Sequence, residues 1–83
     1  MSHRPTLSNI RFSSHARNRQ DERDISRWLI SLALQIGVGI QRGVEKSYIL
    51  TAEQLESRGI LTPPGPLKVV LKEGCLVTVM WMD

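Results

Sequence analysis

The chain has 83 residues, 41% of them hydrophobic and 23% charged, which is the balance of a soluble globular domain and too short for two. One cysteine, Cys75, excludes an intrachain disulfide, and with only two histidines beside it a structural zinc site is excluded as well. The net charge of +3 lies wholly in the N-terminal third, where Arg4, Arg11, Arg17, Arg19, Arg23 and Arg27 outnumber Asp21, Glu22 and Asp24; the rest of the chain is balanced.

Taken in order, residues 1–6 read as a loose tail and 7–83 as a single domain. His3 in the tail carries no signal. Leu7–Phe12 fits a short strand. Ser13 or Ser14 can cap a helix running to about Asp24 by accepting from an orphan N–H of its first turn. That helix is unusual: Ala16 is its one apolar residue between His15 and Asp24, so it lacks the stripe by which a helix normally docks.

The second helix has a clear start. Ser26 is a good N-cap, and Ile25 and Ile30 have the spacing of a hydrophobic staple. Trp28, Leu29, Leu32, Ala33 and Ile36 follow helical periodicity, Ile30 and Leu34 widen the stripe, and Gly37 is a natural stop. This helix is expected to be the main core element, with Trp28 on its buried face. The run Trp28–Ile40 is too short to span a bilayer, which needs about 20 residues. No apolar leader follows the first basic residues. The expectation is a cytoplasmic protein with no membrane contact.

Lys46–Leu50 reads as a strand and Thr51–Gly59 as a short helix, with Thr51 and Gln54 at capping-box spacing. Thr62–Pro66 is a stiff connector. Leu67–Met82 reads as a hairpin around Glu73-Gly74. A two-residue type I′ loop would force Glu73 to positive φ, which suits Asn, Asp or Gly better. The expected loop therefore has three residues, Lys72-Glu73-Gly74. It places Leu67, Val69, Leu71, Cys75, Val77, Val79 and Trp81 on the core face, and sets Lys68 opposite Thr78 on the other.

His15, Arg19 and Arg23 are spaced by four, so they form one ridge on a helix. A histidine flanked by cations suits a phosphate. The plainer reading is a solvated face, with Arg17 four residues before Asp21 in an ordinary ion pair. Tyr48, Lys68, Lys72 and Thr78 read more simply as strand residues, and Cys75 as inert. Gly37-Val38-Gly39 is no phosphate loop, since no Gly-Lys-Ser/Thr follows.

The stretch HARNRQDERDIS fits the pattern His-Ala-x-x-Arg-x-x-x-Arg-x-Ile-Ser, carried by His15, Ala16, Arg19, Arg23, Ile25 and Ser26, with Ser13 preceding it. It resembles the start of a bacterial domain-of-unknown-function family within the RelE-like/barnase-like superfamily, and CLVTVMW at Cys75–Trp81 resembles that family's last strand. The segment TAEQLESRGILTPPGP is longer than the family pattern at that place. The resemblance implies an α+β fold with two N-terminal helices packed on a small antiparallel sheet that ends in a hairpin. It also implies a metal-independent ribonuclease, the toxin of a toxin–antitoxin pair, needing no cofactor. His15 would be the catalytic base toward a ribose 2′-OH and Thr78 a sheet-borne polar contact. Arg19 and Arg23 would hold phosphate, and Arg17 and Lys68 would extend the RNA contact. The partners so implied are RNA and an antitoxin. The alternative is a non-catalytic phage or plasmid accessory protein that binds a host protein or nucleic acid on the same scaffold. The sequence leaves the RNA target and the oligomeric state open.

Overall fold

A computed structural model describes residues 4–60 and 63–82. His3, and Thr62 at the start of the connector, lie outside that range. The fold is α+β. A 3-10 turn at Leu7–Asn9 leads to β1 (Arg11–Phe12) and α1 (Ser14–Glu22). Next come α2 (Arg27–Ile36), β2 (Val38–Arg42), β3 (Glu45–Leu50), α3 (Ala52–Ser57), β4 (Leu67–Lys72) and β5 (Cys75–Trp81). The five strands form one sheet in the order β1-β5-β4-β3-β2, antiparallel except for the parallel β1–β5 pair. No helix among the described residues is long and apolar enough to cross a membrane.

The helix boundaries follow the expected caps. The Ser13 hydroxyl accepts from the Ala16 N–H at 3.0 Å, and the Ser26 hydroxyl from Leu29 at 3.3 Å. Thr51 and Gln54 complete a reciprocal capping box. Ile25 and Ile30 are both buried, as a staple requires. Asp24 joins α1 to α2 at φ 52°, a left-handed turn that aspartate tolerates.

The stripe of α2 is rotated from the expected one. Leu29, Ile30, Leu32, Ala33 and Leu34 are buried, whereas Trp28 is 55% exposed. Trp28 directly follows N1, and the staple fixes Ile30 inward, which turns the indole out. Two polar side chains hold the far end of α2. Arg4 donates to the carbonyls of Leu34 and Gly37, and Gln54 donates to that of Ile36. They satisfy carbonyls that the end of any helix leaves unpaired. Residues 4–10 thus form a strap tied to the end of α2 through Arg4, and only Arg11–Phe12 of the expected first strand pairs.

The β4–β5 hairpin corrects the expected register. Lys72 pairs with Cys75, so the loop has two residues, and Glu73 does take positive φ, 50°, beside Gly74 at 76°. Leu71 pairs with Leu76, a β-bulge at Val77 follows, and Val69 pairs with Val79. The bulge repairs the phase that the short loop upsets. Leu76 is therefore fully buried, while Cys75 and Val77 are only half-buried.

β2 is the element the residue patterns did not announce. It pairs with β3 through a two-residue loop in which Gly43 takes φ 59°. All three α-helices cover one face of the sheet. Tyr48, Leu50, Leu67, Val69, Leu76 and Val79 point toward them into the core. Among the described residues no helix covers the other face.

Candidate functional site

The polar helix α1 docks without an apolar stripe because one small residue suffices. Ala16 is fully buried against the sheet, where a larger side chain would push the helix off. Arg23 supplies the rest. Its Nη1 donates to the Val79 carbonyl at 2.9 Å, and the Trp81 indole donates to the Arg23 carbonyl at 3.4 Å. β1 pairs with β5 only at Cys75 and Leu76, so the outer edge of β5 beyond them has no strand neighbour. Arg23 covers that edge. Its guanidinium is half-buried and engaged, which departs from the expected role of phosphate ligand.

The other members of the ridge are solvent-facing. His15 is exposed, and its Nε2 accepts from Arg19 Nε at 3.4 Å. Arg19 Nη1 also pairs with Glu22 at 2.9 Å, the one ion pair among the described residues. Arg17 is exposed, and the ion pair that its spacing from Asp21 suggested does not form. Charge on this helix is therefore partly neutralised by the helix itself.

The sheet separates His15 from the residues expected to face it. Along a strand, side chains alternate between faces. Val69 and Val79 point to the helices, so Lys68, Val70, Thr78 and Met80 point away. Lys68 lies opposite Met80 and Ile49, not Thr78, and Thr78 lies opposite Val70. His15 belongs to the helical layer. A phosphate must come within about 2.6–3.2 Å of both a base and its partner groups. One phosphate cannot meet His15 together with Thr78 or Lys68 across a sheet.

What the fold does bring together is the helix-free face. By register it carries Arg42 on β2 and Glu45, Ser47 and Ile49 on β3. It carries Lys68, Val70 and Lys72 on β4, and Cys75, Thr78 and Met80 on β5. Arg11, paired with Cys75 across β1, extends it. Arg11, Arg42, Lys68 and Lys72 thus face Glu45 as the single carboxylate of the strand positions. Val38 and Ile40 add exposed apolar surface at the β2 edge. A shallow depression of about 270 Å³ lies on it, lined by the apolar Ile40, Ile49 and Val70 and by Arg42, Glu45, Ser47 and Lys68.

Lys68 was legible as a candidate; Arg42, Ser47 and Arg11 were not, because their common face exists only once β2 pairs with β3 and β1 with β5. The available signal was the alternation of Val38, Ile40 and Arg42 just before Gly43. Among the described residues no cluster of three or more His, Cys, Asp or Glu could hold a metal ion. No protein-family model matches this chain, and no curated protein or solved structure matches it either.

Proposed function

We propose that this chain is an RNA-binding protein of RelE-like architecture, and that it binds single-stranded RNA on the helix-free face of its sheet. One observation carries the reading: four cations against one carboxylate on a continuous uncovered surface. Fixed strands space these cations, so phosphates can be met without ordering a loop first. The apolar side chains of Ile49 and Val70 suit the sugar and base faces between them. The resemblance of the HARNRQDERDIS stretch to the toxin superfamily points to the same ligand. The half-exposed, unpaired Cys75 fits a reducing cytoplasm as the setting.

Fluorescence anisotropy with a labelled single-stranded oligoribonucleotide tests this. Affinity should fall with salt, each phosphate contact adding about −0.7 to the log–log slope. Replacing Arg42 and Lys68 by glutamine should flatten the slope by roughly 1.4, while Arg17→Gln should leave it unchanged. Absence of binding at low salt would refute the reading and favour a host-protein partner.

A second reading keeps the expected ribonuclease chemistry on narrower ground. Arg19 stands 3.4 Å from His15 Nε2, so a cation lies beside the candidate base for the developing phosphorane charge. In that reading the antitoxin is the protein partner. Cleavage of RNA that falls about 10²–10⁴-fold in His15→Ala would support it; RNA that stays intact would remove it.

A further inference from the structure

A second concavity, of about 390 Å³, lies on the helical side of the sheet, between the strap at residues 4–10 and the end of the sheet near the Glu73-Gly74 turn. That size is within the range of small-molecule sites, roughly 300–1,000 Å³. Its lining has three features that ordinary surface clefts lack.

The first is Tyr48. This residue lines the concavity and is 1% exposed, and its hydroxyl is buried with no hydrogen-bond partner among the described residues. Native structures rarely leave a buried hydroxyl unpaired without a use for it. The second is charge. Arg4 Cζ stands 5.2 Å and Lys46 Nζ 5.5 Å from the centre of the Tyr48 ring. Among the described residues neither cation is in an ion pair, although Glu73 lines the same space. Two cations gathered at one ring repel each other unless an anion joins them. The third is rigidity. Arg4 is anchored by the carbonyls at the end of α2, so its position does not depend on the ligand. Ile10, Val44 and Leu71 form the apolar part of the remaining wall, beside Pro5 and the polar side chains of Asn9 and Gln41.

We propose that this concavity binds a small carboxylate with an apolar body. The carboxylate would lie between Lys46 and Arg4, and a small shift of the Tyr48 ring, whose hydroxyl is closed off from solvent, would let that hydroxyl donate to it. The body would cover Ile10, Val44 and Leu71. A bare inorganic anion would leave that apolar wall wet, and a neutral apolar ligand would leave both cations unanswered.

Titration of the ¹⁵N-labelled protein with phenylacetate and hexanoate, followed by amide shifts, tests the site. Acetate and phenylacetamide serve as controls lacking the body and the charge. Saturable shifts at Ile10, Lys46, Tyr48, Leu71 and Gly74 are expected. Phenylacetamide and acetate should each bind at least about tenfold more weakly, as should phenylacetate to Lys46→Met. Tyr48→Phe should weaken phenylacetate binding while melting no lower than the parent, because it removes a hydroxyl that has no partner. No saturable shift at millimolar carboxylate, shifts confined to other residues, or equal binding of phenylacetamide would each overturn the proposal. A Tyr48→Phe protein that melts well below the parent or fails to fold would do the same, by showing that the hydroxyl is already engaged.

Discussion

Truncating Leu76 and its neighbour Val77 in turn asks which residue of β5 occupies the core. Leu76 pairs with Leu71 and is fully buried; Val77 is the bulged residue and is half-buried. Leu→Ala at a fully buried site costs about 2.7–5 kcal/mol through lost transfer energy and the cavity left behind. A chain of this size has a total stability of about 4–12 kcal/mol, on the usual 0.05–0.15 per residue. Leu76→Ala should therefore remove a large fraction of the whole and lower the melting temperature by roughly 12 °C or more. Val77→Ala, with half its side chain already in water, should cost less than about 1 kcal/mol. Urea unfolding of both variants, with unchanged slopes, gives the comparison. If Val77→Ala proves as costly as Leu76→Ala, the hairpin loop has three residues instead of two. Lys68 would then stand beside Thr78, and the charged face proposed for RNA would be wrongly drawn.

Trp28→Ala should change stability by less than about 1 kcal/mol in the same assay, since the indole is mostly in solvent. Arg23→Met should destabilise by roughly 1.5–3 kcal/mol through loss of its charged hydrogen bond to Val79, yet leave the salt slope of RNA binding unaltered; a flattened slope would return Arg23 to the phosphate site. Glu73→Asn should raise stability by about 0.5–1 kcal/mol in guanidinium unfolding, because asparagine tolerates the left-handed φ that glutamate holds at a cost. Thr51→Ala should lose about 1 kcal/mol with the capping box of α3.

The helices were legible in the sequence to within a residue or two, because their caps are local chemistry: Ser13, Ser26 and Thr51 each accept from the backbone three residues on. Burial was less legible. Trp28 fits the apolar stripe by spacing as well as Ile30 does, and the choice between them depends on where α2 meets the sheet. The hairpin misled for a related reason. The local penalty on Glu73 is real, but a two-residue loop followed by a bulge at Val77 buries Leu76, and that long-range gain outweighs it. For the candidate site, spacing placed His15 and Arg19 together correctly, at 3.4 Å. It could not reveal that Arg23 is needed at the edge of β5, or that a sheet lies between His15 and Lys68. Both depend on the pairing of residues far apart in the chain.

The scarcity of apolar residues on α1 also bears on how the chain reaches its fold. Ala16 shares its buried cluster with Leu76 and Val79, and the strand that pairs with β1 is β5, the last strand of the sheet in chain order. During synthesis the first helix must wait until β5 has been made. Contacts of such long sequence separation form late and slowly. A conventional amphipathic helix would pass that interval with its oily stripe in water, exposed to association with other nascent chains. A segment whose docking needs only one alanine and one arginine has almost nothing to stick with. The polarity of α1 thus spares the early chain a second apolar stripe beside that of α2 until β5 arrives to receive it.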